Sequence, residues 1–460
     1  MFTIIINACK KDTSQTPPAG NTSDPNLTPM PASTQRQGNA TAGYNYLITG
    51  DYVSSGIPLT LFNAVLGNSA NVLNRTGDNL TVPYNYNAIV ASNGMKVVSP
   101  NCLTCHAQLN FDGSGNVIIG LGNTLADYTV DQSVALGTLD NAIQGMYGIP
   151  SPQYTAYLPF RTGTLAIGPL IIADKKGVNP ANKVTAILAS HRDKKSLVWN
   201  ASTSFTIPAG SVIPTDVPAW WLLKKKNVLY HNGTGKGDFA RLIMASCMLT
   251  VKDSAEASTI DAHFKDILAY LNSIQAPVFP KSINQNLVAQ GKTIFTANCQ
   301  RCHGTYGNNA SYPNYLVNQS YVGTDPLQAT NYAYTSDFNS WYNNSWFASG
   351  SAAATVQSTN GYIAPPLDGV WATAPYLHNG SVPNLQLLLN STKRPARWQR
   401  SFNAMDYDYT NVGWNYTVSA STSSDVYDNS LPGYGNQGHT FGDFLSDADR
   451  TALIEYLKTL

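Results

Sequence analysis

Two short stretches carry the chemistry of this chain: Cys102-Leu-Thr-Cys105-His106 within NCLTCHAQ, and Cys299-Gln-Arg-Cys302-His303 within NCQRCHGT. Two thiols a helical turn apart can reach the two vinyl groups of a haem, and the histidine after them then lies under the iron. The same residue types admit two other readings, half of a zinc site or a redox-active thiol pair. Structural zinc asks for four ligands in a closed tetrahedron, usually from two neighbouring Cys-x-x-Cys pairs. Here the pairs stand nearly two hundred residues apart and each has its own histidine. The pattern favours two covalently attached c-type haems.

Iron held by two strong ligands moves electrons, whereas iron with an open face binds dioxygen or peroxide. Function therefore turns on what stands opposite each histidine. After the second motif the candidates are His378, His439 and Met405. His439 lies in the glycine-rich GYGNQGHTFGDF, a loop able to bring an imidazole to iron or simply to sit in solvent. For the first motif, His231, His263, Met95 or Met146 would close the site, while Trp220, Trp221 and Phe239 would line an open aromatic pocket. A tryptophan pair is as readily core packing as cofactor lining. Lys224-Lys225-Lys226 reads as a solvated face or as a partner of haem propionates. Arg75-Thr-Gly-Asp-Asn79 offers oxygen ligands of the kind Ca2+ takes.

The elements that position these groups divide the 460 residues into two units of one plan. Each carries one CxxCH and closes with a helix. In the first, Ile260, Phe264, Ile267, Leu268 and Leu271 recur at helical spacing before Pro277. In the second, Ser446 with Asp449 caps a helix whose apolar face is Leu453, Ile454 and Leu457. The expected division is a lipoprotein-like signal remnant at 1–9, a disordered tether at 10–43, an N-terminal domain at 44–276, a linker at 277–284 and a C-terminal domain at 285–460. The Tyr/Asn/Ser-rich stretch 305–360 is expected to wrap the second haem. Without evenly spaced alternating strands, a mainly α, loop-rich fold is expected.

Composition excludes some classes. A net charge of +1 gives no reason to expect nucleic acid as partner, and no apolar run reaches the roughly 18–20 residues of a membrane span. Cys247, in ARLIMASCMLTV, reads as a small buried hydrophobe. Cys9 follows the apolar IIINA and precedes a polar segment too poor in large apolar groups to fold alone. It reads as a lipid-anchor site, or as an incidental cysteine in a frayed terminus. Haem attachment of the c type occurs outside the cytoplasm, so a periplasmic or outer-surface location in a bacterium is expected.

The stretch Ala374-Pro-Tyr-Leu-His-Asn-Gly-Ser-Val-Pro383 resembles the signature of the bacterial di-haem cytochrome c peroxidase/MauG superfamily, and more closely its rubber-oxygenase (RoxA-like) branch. GHTFGDFLSDADRTALIEYLKTL, GDYVSSGIPLTLF and DVPAWWLLKKKN resemble that branch too, so the likeness runs from about residue 44 to the end. It implies two cytochrome c-like domains with one covalent haem each. It implies His303 and His439 on the C-terminal haem, with His378 and Asn379 lining that pocket as hydrogen-bonding groups. At the N-terminal haem it implies His106 as proximal ligand, no protein ligand opposite, and an aromatic distal pocket. The chain is shorter than the oxygenases, and it offers no clear methionine ligand of the peroxidase kind. The expected function is an oxidoreductase acting on dioxygen or hydrogen peroxide and an unnamed small-molecule or polymer substrate, with a redox partner protein. The alternative is a di-haem electron carrier with no substrate of its own.

Overall fold

The computed structural model describes residues 24–207, 210, 212–330 and 336–460. Cys9 and the apolar run before it lie outside these residues. Helices account for 38% of the structure and strands for 13%, the strands forming, among the described residues, six small two- or three-stranded sheets. Among the described residues no helix is long and apolar enough to cross a membrane.

The first core is built on the helix Ser254–Ser273, started by Asp253, whose carboxylate accepts from the Ala255 and Glu256 amides. Its predicted face, Ile260 through Leu271, is buried to within 4% of full exclusion. It packs against the helix Ala40–Thr49. Cys247, 1% exposed, sits in the same core as the small hydrophobe expected.

The second core joins two crossing helices, Gln285–Asn298 and Asp447–Leu457. A Cβ on Gly291 would come within 2.0 Å of the Ala452 carbonyl, so only glycine allows this crossing. The last helix starts with the reciprocal cap read from sequence: Ser446 Oγ accepts the Asp449 amide, and Asp449 accepts the Ser446 amide.

Three segments depart from the two-unit division. From Asp24 on, the expected tether is an ordered strap. Leu27–Pro29 pairs antiparallel with Tyr315–Asn318 of the second unit. Arg36 then grips Asp238 at 2.8 and 2.9 Å and Asp261 at 2.7 and 3.0 Å in the first. The segment is poor in large apolar groups, and its order comes from the strand pairing, from Met30 buried against Val228 and Ile363, and from the Arg36 pairs with distant carboxylates.

The stretch expected to wrap the second haem instead divides. Trp341, Tyr342, Phe347, Ala354 and Val356 are buried in the first core, with Trp341 Nε1 donating to the Arg192 carbonyl at 2.9 Å. Its aromatic side chains bury more favourably there than in a solvated loop. The expected linker also packs, since Phe279 is 6% exposed and meets Trp371 edge-on. The chain changes core across 277–284, with Phe279 buried and Val278, Pro280, Lys281, Ser282 and Asn284 exposed around it.

Candidate functional site

The strand Lys96–Pro100 delivers the chain to the first motif. Asn101 donates to the Tyr84 carbonyl and to Asn87, and accepts the Leu103 amide at 2.9 Å. That bond starts the one-turn helix Leu103–His106. The Tyr52 hydroxyl accepts the Cys102 amide at 3.3 Å and donates to the Leu47 carbonyl at 2.7 Å. The Tyr128 hydroxyl lies 3.7 Å from Cys105 Sγ. Burial pushes the Cys102 thiol up to about 11 and raises Cys105 as well. His106 stacks on Trp220, centroids 4.3 Å apart and planes 16° from parallel. Its Nδ1 is buried without a hydrogen-bond partner, and burial pushes its pKa down to about 3.

The second motif follows the helix Gln285–Asn298 and forms the one-turn helix Gln300–His303. His303 Nδ1 lies 2.8 Å from the Pro365 carbonyl. A carbonyl only accepts, so Nδ1 carries the proton and Nε2 keeps the lone pair a metal needs. Facing this ring is His439, with centroids 6.3 Å apart and planes at 59°. Two imidazoles sharing one metal ion at about 2 Å each would have their centroids roughly 6 Å apart. Burial, then His303 and Arg394, push His439 down to about 3, so its imidazole is neutral. Burial lowers His303 too, partly offset by the Pro365 carbonyl, and raises Cys299 to about 11.

These donor sets fit haem better than the alternatives. A zinc or redox site stabilises thiolate, whereas all four thiols are pushed towards the neutral form. Among the described residues no three His, Cys, Asp or Glu side chains converge to hold a metal ion.

Of the candidates opposite His303, His439 is the one whose ring faces it among the described residues. Met405 is 58% exposed. His378 is buried against Tyr362, centroids 4.0 Å apart, with Nε2 unpartnered. The ring contact of His378 is thus with Tyr362, while His303 is faced by His439. Asn379 is a hydrogen-bonding group of this site. Its amide donates to the Gly433 and Gly435 carbonyls at 2.9 Å each, on the loop that leads to His439.

The first site differs more from expectation. Trp220, expected to line an open pocket, lies against the face of the His106 ring itself. Trp221 turns the other way, into the second core, where its Nε1 donates to the Asp368 carbonyl at 2.8 Å. Phe239 is part of the first core. His231 is held through Nε2 by the Asp216 carbonyl at 2.9 Å, beside Lys226 and His378. It is therefore not brought to His106. His263 stacks on Tyr46 on the exposed side of its helix, and Met146 is 48% exposed. The lysine run also divides: Lys225 pairs with Asp368, Lys224 reaches Gln275, and burial pushes Lys226 down to about 8. The proposed calcium ligands are engaged elsewhere, Asp78 with Lys96 at 2.8 Å and Asn79 with the Ala88 backbone.

Residues 361–399 match a sequence family described as RoxA-like, cytochrome c-like. Over that segment the chain is similar to the RoxA-like cytochromes. A cytochrome c-like match implies c-type haem. The matched segment contains Pro365, His378 and Asn379, three of the groups that shape the C-terminal site. Two curated relatives come from Sinorhizobium fredii (strain NBRC 101917 / NGR234). Uncharacterized protein y4iM is 26% identical over 318 residues, covering 58% of this chain and 69% of that protein. Uncharacterized protein y4iJ is 30% identical over 239 residues, 39% of this chain, so the match spans about two fifths of y4iJ's length.

Sequence reasoning missed Pro365, whose contribution is a backbone carbonyl with no side-chain signature. It also missed Tyr362, although an aromatic at the start of an apolar GYIAPPL run was a usable signal. Tyr52 and Tyr128, beside the first two thiols, come from distant segments and had none.

Proposed function

We propose that this chain is an extracytoplasmic di-haem c-type cytochrome oxidoreductase that acts on dioxygen or hydrogen peroxide at its N-terminal haem, with a bis-histidine C-terminal haem as electron relay. The observation that carries this reading is an asymmetry: His303 has an imidazole opposite it, and His106 has none in ring contact among the described residues. Cys102, Cys105 and His106 would hold the first haem, and Cys299, Cys302, His303 and His439 the second. Bound haem supplies one-electron iron chemistry.

The chain's own residues do the rest. Trp220 fixes the plane of the His106 ring. Pro365 keeps the proton on His303 Nδ1. Trp220 and Trp221, adjacent in sequence and lodged in different cores, give a short covalent and aromatic path between the two units. Lipid anchoring at Cys9, a periplasmic or outer-surface location, and a redox partner protein belong to the same proposal.

The rival is a two-haem electron carrier. What favours it is that Met244 and Met248 are buried in the core that also holds Leu103 and Trp220, where a thioether could close the first site. Visible and EPR spectra of the holoprotein, before and after carbon monoxide is added to the reduced form, decide between them. One haem taking up carbon monoxide supports the oxidoreductase. Two haems that stay six-coordinate in both oxidation states leave only the carrier.

A further inference from the structure

The loop that carries His439 is held in a conformation it would not adopt by itself. His439 has φ +45° and Gly438 has φ +74°. A non-glycine residue in the left-handed region is strained and persists only where its surroundings enforce it. A Cβ on Gly438 would also fall 2.2 Å from the Gly323 carbonyl carbon. The His439 amide is tied to the Val322 carbonyl at 2.7 Å.

The opposite side of the loop is gripped by one side chain. Arg394 Nη1 donates to the Asn436 carbonyl at 2.5 Å and the Gly438 carbonyl at 2.7 Å, and Nη2 donates to the His439 carbonyl at 3.3 Å. The same guanidinium is anchored from behind by the Leu387 carbonyl at 3.0 Å and the Leu388 carbonyl at 2.9 Å. No carboxylate hydrogen-bonds to it among the described residues; its five bonds all go to backbone carbonyls. A planar fork of fixed donors suits this role, and a lysine, with a single point of charge, does not.

We propose that Arg394 is the positioning residue for the C-terminal axial ligand, clamping the His439 loop so that its imidazole stays opposite His303. This rests on the bis-histidine reading above. Hydrogen bonds to a charged donor are worth enough that losing those to Gly438 and His439 should shift the on–off equilibrium of the His439 imidazole by about tenfold or more.

The test uses the haem-loaded full chain and three variants: Arg394→Gln, Arg394→Lys and His439→Gly. The readouts are the EPR spin state, carbon monoxide uptake by the reduced C-terminal haem, and its midpoint potential. Both Arg394 variants should show a high-spin fraction and carbon monoxide uptake at that haem. The N-terminal haem spectrum should be unchanged, and added imidazole should restore the low-spin signal. A wild-type spectrum and potential in Arg394→Gln would overturn the clamp. Failure of both Arg394 variants to accumulate would also overturn it, by making the residue a general structural one. If His439→Gly itself leaves the C-terminal haem unchanged, it is the bis-histidine reading that fails.

Discussion

The two Cys-x-x-Cys-His turns are nearly the same object locally and quite different in their surroundings. Each is a one-turn helix with half-buried thiols pushed towards the neutral form. At the second, the backbone of Pro365 orients the histidine and another imidazole faces it. At the first, Nδ1 has no partner and an indole lies along the ring. The motif therefore specifies attachment, while coordination is specified by residues sixty to a hundred and forty positions away. A proximal histidine that donates no hydrogen bond is a weaker electron donor to its metal than one that does. In the proposed di-haem reading the two irons would thereby be set apart before any distal ligand is considered.

The most severe way to break this difference is to remove His439. His439→Gly should make the C-terminal site resemble the N-terminal one, with complete loss of the low-spin signal from that haem. EPR of the ferric holoprotein measures it. A persistent six-coordinate spectrum would mean that some other group holds the iron.

Next in size is Trp220→Ala. The side chain is 4% exposed, and removing a buried indole costs about 3–5 kcal/mol. Urea unfolding of the holoprotein should show this loss, with only the N-terminal haem spectrum shifted, because among the described residues no ring stacks on His303 as Trp220 does on His106. Trp220→Phe keeps an aromatic face against His106 and should recover much of both effects. If Trp220→Ala perturbs the two haems equally, the indole is shared packing and the comparison loses its physical basis.

Much of the C-terminal half was legible because its signals are local. The closing-helix face at Leu453, Ile454 and Leu457 and the Ser446–Asp449 cap follow from spacing within a few residues, and His439 stood out by its glycine-rich loop and by the family resemblance. The N-terminal half hid more because it is assembled from distant pieces. The strap depends on Arg36 meeting carboxylates more than two hundred residues on. The first core takes Trp341 and Phe347 from beyond the second motif. Trp220 and Trp221 look alike in sequence, yet consecutive residues of a tight turn point to different sides. No periodicity reveals which of the two meets His106.

A third effect separates the two sites from what lies between them. His231, held by the Asp216 carbonyl, is pushed by burial and by Lys226 down to about 4. Its unfolded value is about 6.5, so below that pH the unfolded chain binds the extra proton first and stability falls. The contribution is fully present above pH 6.5 and is lost as pH drops through 4. Its size is roughly 1–3 kcal/mol for a half-buried ring. His231→Gln should flatten the stability curve over that window without altering either haem spectrum. A shift in the N-terminal haem spectrum would return His231 to the first site.

The smallest effect compares the two closing helices directly. Ser446→Ala and Asp253→Ala each remove one helix cap and should each cost about 1 kcal/mol. The helix Asp447–Leu457 lies across Gln285–Asn298, which runs straight into Cys299, so its fraying should loosen the second motif. The helix Ser254–Ser273 lies against Ala40–Thr49, one residue of which, Leu47, takes the Tyr52 hydroxyl bond beneath Cys102. Amide hydrogen exchange should therefore rise around Cys299–His303 in the first variant and around Cys102–His106 in the second. Because the strap and the segment 336–356 cross between the cores, equal loosening at both motifs in either variant is the outcome that would count against two sites tuned apart. In that case the molecule opens as a single cooperative unit, and the different surroundings of His106 and His303 set coordination without setting local stability.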